Sequence, residues 1–298
     1  MPLYVAIYLN PRDLLKYVGQ YRREPNNQVA FFHSAQYSLG YRQFTAAEKL
    51  ANDALKAHPD WASPYFILAK VSESQLDDLQ SLNYLQTALE ASPHWLDAAS
   101  AYSDKLNACE KFADCVSVCT KTLDYCSGLP SDLGVTLMMR KLRFIKAQAL
   151  YNLKDFGAAA KEMEIDSAQE NNQIKLRLLA DCYAKNKQWA KALAIADRLC
   201  RETPPDYNFH FLRAEIYVAT NQTQKAIAEL TTCLKLKKFQ VKNIGLGAMK
   251  VLEERDALLL RAEMYEKVGN KKLAAKDRAV LKQASDSSFQ EAAFRTNP

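Results

Sequence analysis

The stretch Leu176–Pro204, LRLLADCYAKNKQWAKALAIADRLCRETP, decides the fold. Small residues stand at Ala180, Ala192 and Ala196, aromatic rings at Tyr183 and Trp189, and a proline closes the segment at Pro204. The pattern reads as two helices joined by a turn around Lys187. Two antiparallel helices approach closely only where neither side chain intrudes, so Ala180 and Ala192 mark the crossing.

The same pattern recurs along the chain. Pro25, Pro59 and Pro93 are spaced by 34 residues, as are Ala47, Ser81 and Cys115, and Ala192 and Ala226. Superposing the repeats gives one small site in the first helix: Ala35, Ala69, Ser103, Ala147, Ala180, Ala214 and Ala262. Twelve residues later the second helix carries Ala47, Ser81, Cys115, Ala159, Ala192, Ala226 and Ala274. Three residues before that second site stand Phe44, Phe112, Phe156 and Trp189, rings suited to plug the space between neighbouring helices. A period of 34 with one helix–turn–helix per unit is a solenoid signature.

These residues resemble the tetratricopeptide repeat (TPR) family. Leu176, Leu179, Ala180, Tyr183, Trp189, Ala192, Ala196 and Pro204 fit its pattern, as do Phe31, Ala35, Phe44, Ala47, Ala51, Ala54 and Pro59. The third repeat departs, with Cys115, Cys119 and Thr122 and no closing proline, and the last places Lys271 and Arg278 at normally buried sites. The resemblance implies an all-α, right-handed solenoid of about seven repeats. The expected organisation is a partial repeat or cap at 1–25; repeats at 28–60, 62–94, 96–126 (degenerate), 137–170, 173–205, 207–237 and 252–286; and a tail at 287–298. Insertions at 127–136 and 238–251 interrupt the period, and each reads as a loop or as an extension of the flanking helices. Counting back from Pro25 makes Pro11–Tyr21 a second helix and leaves Tyr4, Ile7 and Tyr8 as an apolar edge, open to self-association or to preceding protein.

Composition agrees. Eight glycines in 298 residues fall well below the usual share of about 7%, which argues against many hairpins and against phosphate-cradling loops. The family often puts glycine in the turn inside each repeat, but here that turn reads Arg42, Leu76, Lys154, Lys187 and Asn221, with glycine only at Gly269. Net charge is +6; residues 51–100 are acidic and 201–250 basic, without one concentrated basic stripe. Seven cysteines without a regular framework fit a reducing compartment, and the start has no basic region ahead of its apolar run, so a cytoplasmic protein is expected. No stretch approaches the length of a membrane span.

Chemistry is poorly supported. No P-loop, nucleophile-elbow or zincin motif occurs, and Gly245-Leu246-Gly247 lacks the third glycine of a dinucleotide fingerprint. Cys115 and Cys119 share a helical face and could hold zinc, yet both fall on packing sites where buried cysteine serves as a small apolar residue. No catalytic residue, metal or cofactor is expected, and no small-molecule substrate.

What remains is surface. The resemblance implies a groove lined by first helices that binds extended or helical peptides. Three residues before the first small site stand Phe32, Phe66, Phe144, Arg177 and Phe211; one residue after it stand Lys70, Gln148, Asp181, Glu215 and Glu263. The second half reads as an acidic ladder beside apolar residues, complementary to a peptide with basic and apolar side chains. The alternative is that the phenylalanines pack between repeats and the acids are simply solvated. Some family members clamp a terminal carboxylate with paired lysine, asparagine and arginine; pairs such as Phe32/Gln36 and Arg177/Asp181 do not supply that set. The expected function is a non-enzymatic interaction scaffold or assembly factor. Two rivals stay open: the regulatory region of a larger enzyme or secretion machine, and RNA binding through the basic residues Arg140–Lys146 and Lys235–Lys242, although nucleic acid is not the favoured partner.

Overall fold

The computed structural model describes residues 11–130, 133–165, 172–202, 206–244 and 250–282. The described residues are helical, without strands. The helices are α1 (Pro11–Arg23), α2 (Gln28–Gly40), α3 (Phe44–Ala57), α4 (Ala62–Ser74), α5 (Asp78–Ala91), α6 (Leu96–Ala108), α7 (Phe112–Ser127), α8 (Leu133–Asn152) and α9 (Phe156–Glu164). Then come α10 (Gln173–Lys185), α11 (Trp189–Glu202), α12 (Tyr207–Ala219), α13 (Thr223–Ile244), α14 (Lys250–Lys267) and α15 (271–282). From α2 onward they pair into helix–turn–helix repeats, the all-α solenoid that the period implied. The chain falls into two compact units, Met1–Asp166 and Ser167–Pro298.

Both helices of every pair meet at the small sites. All fourteen are at most 1% exposed, the non-alanine sites Cys115, Ser81 and Ser103 included at 0%. A methylene added at any of them would force the helices apart. The turn inside each repeat is equally regular. Arg42, Leu76, Glu110, Lys154, Lys187 and Asn221 all adopt φ between 58° and 64°, and Gly269 has φ 78°. The following residue's N–H bonds back to the last turn of the first helix, as in Gln43 to Ser38 (2.8 Å), Gln188 to Tyr183 (2.8 Å) and Asn270 to Tyr265 (2.8 Å). This is the Schellman closure, which normally favours glycine at the left-handed position. Six repeats accept a side chain there instead.

The first insertion extends helices. α7 runs to Ser127 and α8 begins at Leu133, making α8 twenty residues long against thirteen for most first helices. Val135, Leu142 and Ile145 are buried along it, so the added turns have a face to cover. α13 likewise runs into the second insertion and α14 begins within it, while 245–249 lie outside the described residues. The apolar N-terminal edge and the 287–298 tail also lie outside them.

A feature that the repeat pattern did not disclose joins first helix to second. The residue before the first small site and the residue three after the second form an ion pair in three repeats. Lys146–Glu162 (2.6 Å) lies in the first unit; Arg213–Glu229 (2.7 Å) and Arg261–Asp277 (2.7 Å) lie in the second. Burial works against the charge of Arg261, and the bond to Asp277 more than offsets it, so its pKa rises. Leu179 and Ile195 hold the same two positions in the repeat between.

Replacing Arg261 alone by leucine strands the 4%-exposed Asp277 and should cost on the order of 3 kcal/mol in urea unfolding. The double change Arg261→Leu with Asp277→Ile copies the Leu179/Ile195 pair and should restore stability to within about 1 kcal/mol. Leu76, left-handed and 89% exposed, is the other test: Leu76→Asn should raise the unfolding free energy by up to about 1 kcal/mol.

Candidate functional site

The first helices of the two units present different surfaces. In the first unit Phe32 on α2 and Phe66 on α4 hold the predicted groove positions, but a third ring meets them. Trp95, at the N-terminus of α6, lies 5.4 Å from Phe32 and 4.8 Å from Phe66 between ring centroids, and the phenylalanines are 6.0 Å apart. Phe32 is 2% exposed, Phe66 9% and Trp95 4%. Phe32 is therefore a packing residue between repeats, not a ring offered to a ligand, and Phe66 presents only an edge. Lys70 lies over the Phe66 ring at 5.6 Å while its ammonium bonds Glu73 at 2.9 Å, so its charge is largely answered from its own helix. Phe144 and Gln148, one helical turn apart on α8, are half-buried.

In the second unit the face is more open. Phe211 on α12 is half-buried and stacked on Tyr207 at 5.8 Å with 10° between ring planes. That stacking holds the ring in place at the edge of the helix while leaving part of it in solvent. Glu215 follows one turn later and is exposed, as are Arg177 on α10 and Glu263 on α14; Asp181 is half-buried. Leu259 on α14 is 39% exposed and adds apolar surface one turn before Glu263.

The charges around Glu215 interact. Its pKa is raised, first by desolvation among the flanking helices, then by the Asp181 carboxylate, with Asp256 adding to the rise. Lys185 and Arg177 act in the opposite direction. The structure thus brings Arg177, Asp181 and Glu215 into one electrostatic neighbourhood, together with Lys185 and Asp256, which sequence reasoning had not singled out. The ladder is a mixed strip: Asp181 and Asp256 act on Glu215 in one direction, and Lys185 and Arg177 act on it in the other. Such a strip favours a cation near Glu215, because that carboxylate holds its negative charge at a cost that a bound cation relieves.

Among the described residues no group of three or more histidine, cysteine, aspartate or glutamate side chains could hold a metal ion, and no helix is long and apolar enough to cross a membrane. Cys115 and Cys119 are fully buried, with the Cys115 thiol 3.3 Å from the Ser103 carbonyl across the helix crossing. The missed residue of most consequence is Trp95. Its offset, fourteen residues after Ser81, is shared by Trp61 fourteen after Ala47, and that recurrence was the available signal.

Known proteins agree on the fold. No family model matches the chain. A BBSome complex member BBS4 homologue of Drosophila melanogaster is 20% identical over 234 residues, covering 77% of this chain and 48% of its own length. The chain therefore spans about half the length of that relative. Among solved structures, YrrB, a TPR protein with an unusual peptide-binding site, superposes with a TM-score of 0.53 at 16% identity, covering 62% of this chain and 91% of its own. PilF of Pseudomonas aeruginosa gives 0.54 at 14% identity (75% and 94%), and BtubC of P. vanneervenii 0.55 at 12% (76% and 93%). The chain has the TPR fold.

The raised Glu215 pKa has a signed consequence. The folded protein binds that proton more tightly than the unfolded chain, so this residue's contribution to stability falls as pH rises from the ordinary carboxylate range through the raised value. Glu215→Gln should match the wild type in urea midpoint below about pH 4 and exceed it near about pH 7. A variant less stable than the wild type at the higher pH would contradict the electrostatic strain placed on this residue.

Proposed function

We propose that this chain is a non-enzymatic protein-interaction scaffold, holding a peptide segment with basic and apolar side chains against the first helices of its second unit. One observation carries the reading. The strained carboxylate of Glu215 sits one helical turn from the partly exposed Phe211 ring, with Asp181 and Asp256 close enough to raise its pKa further. A lysine or arginine placed there gains charge pairing with Glu215 and offsets the repulsion that Asp181 and Asp256 exert on it, while an adjacent apolar side chain covers Phe211 and Leu259. Arg177 and Lys185 at the edge would fix register, since a peptide cation placed against them is repelled.

In the first unit the sites of Phe144, Gln148 and Lys70 are the remaining candidates. The aromatic packing of Phe32, Phe66 and Trp95 makes that part of the face a rigid wall rather than a set of pockets. A scaffold role is supported by the fold shared with YrrB, a TPR protein with an unusual peptide-binding site, and by the likeness to a BBSome complex member homologue. Because the chain spans about half of that relative's length, a role as one part of a larger assembly is the companion reading.

The experiment is partner capture from native lysate with mass spectrometry, comparing the wild type with Phe211→Ala/Glu215→Lys. Both residues lie outside the buried core, so helicity by circular dichroism should be unchanged. Specific partners should be lost from the variant. For a partner so identified, affinity should tighten as pH rises through the Glu215 titration, because only the ionised carboxylate pairs with a cation. Retention of the same partners by the variant would place the site elsewhere.

A further inference from the structure

A second surface lies on α15, away from the first-helix strip. Of its twelve residues five are basic, Lys271, Lys272, Lys276, Arg278 and Lys282, and the one acid, Asp277, is turned inward and held by Arg261. Lys271, Ala275, Arg278, Ala279 and Lys282 recur at helical spacing and, with Glu266 at the end of α14, line an open cleft of about 570 Å³. Lys271, Ala275, Arg278 and Ala279 are all exposed. The cleft floor is alanine and its walls are cationic. Arg278 is partly answered by Glu266 at 2.9 Å, which leaves the surface net positive.

The array itself says what shape belongs there. Arg278 stands four residues after the second small site, the position of Leu85 and Leu230 in earlier repeats. Leu85 shares a buried cluster with Trp95 and Ala98 at the start of α6, and Leu230 with Ala257 and Leu258 of α14, and α5 packs on α6 as α13 does on α14. In each case this position receives the first helix of the repeat that follows. On α15 the geometry is kept, with small residues at Ala275 and Ala279 for close approach, but the apolar side chain is exchanged for a guanidinium and the preceding aromatic position for Lys271. A helix fits the cleft, and one presenting carboxylates beside small apolar residues matches its charge.

We propose that this α15 face is a docking site for an acidic amphipathic helix of a partner protein, seated as a further repeat's first helix would be. Carboxylates of the incoming helix pair with Lys271 and Arg278, displacing Glu266 from Arg278, and its small apolar residues close onto Ala275 and Ala279. Lys272 and Lys276, on the outer side of α15, contribute to the attractive field at longer range. This site is independent of the peptide strip around Glu215, and neither proposal rests on the other.

The test uses the full chain and two fluorescein-labelled synthetic helices of about 18 residues, long enough to be helical in isolation. One carries glutamate beside alanine and leucine; the other has each glutamate replaced by lysine. Anisotropy titration should show binding of the acidic helix alone, weakening roughly tenfold or more between about 50 mM and 500 mM salt. Lys271→Glu/Arg278→Glu should abolish it. Ala275→Arg, which adds positive charge but fills the cleft, should also abolish it, separating docking from charge attraction. Equal binding of both helices, tighter binding by Ala275→Arg, or no binding at about 100 μM would overturn the proposal. So would two other occupants: a peptide of residues 283–298 that displaces the acidic helix, or a dimer in sedimentation that Lys271→Glu/Arg278→Glu dissociates. Unchanged unfolding midpoints for the variants keep loss of binding distinct from loss of fold.

Discussion

Close approach of two helices at a pair of side chains no larger than cysteine is the constraint on which this protein depends. It is met at all seven helix pairs, through fourteen small residues, and it explains why the repeat survives so much variation elsewhere. Where the helices touch through Ala35 and Ala47, their separation is set by backbone and Cβ atoms alone, and where they touch through Ser103 and Cys115 a single γ atom is added, the Cys115 thiol reaching the Ser103 carbonyl at 3.3 Å. Larger residues are then excluded from the crossing and admitted only above and below it. The degenerate third repeat is degenerate in chemistry, with Ser103 and Cys115 in place of alanines, but not in volume, and so it keeps its place in the stack.

The tight crossing requires a tight turn, and here the chain makes an unusual choice. Every repeat turns through the same left-handed residue with the same backbone closure, yet only Gly269 uses glycine. A side chain at positive φ costs about 1–2 kcal/mol, so six such turns form a standing load that the packing of the helices must carry. Asn221 bears it with least difficulty, and Leu76 with most. Ion pairs between the helices supply a second fastening in three repeats, and in a fourth the same two positions hold the apolar residues Leu179 and Ile195. The charged version is tolerated because its members are partnered rather than stranded.

Function follows from which parts of this regular framework are left uncovered. In the first unit the aromatic residues of the first helices are drawn together by Trp95, so the face nearest them is closed. In the second unit Phe211 is stacked only along one side by Tyr207 of its own helix, and the equivalent positions around this partly exposed ring hold an assortment of charges. The offsets that name the candidate residues were legible from the period, and Phe66, Arg177, Phe211 and Glu215 do occupy first helices as expected. Their availability was not legible. Phe32 and Phe211 stand at the same offset, yet one is enclosed and the other is not, because a tryptophan 63 positions along the chain reaches only the first.

The sequence by itself determined the helical class, the period, the fourteen crossing sites and the position of every intra-repeat turn but that at Glu110, since all of these are set by interactions within one repeat of 34 residues. Local spacing is enough to specify them. The tertiary structure decided three other matters: that Phe32 is core, that Lys146, Arg213 and Arg261 clasp acids sixteen residues away, and that Glu215 lies among Asp181, Asp256, Lys185 and Arg177. The first and last require knowing which helix of one repeat meets which helix of another. The clasp requires knowing that two positions on opposite helices face each other closely enough for a charge pair. Periodicity assigns a residue to a face; only packing says what stands opposite it.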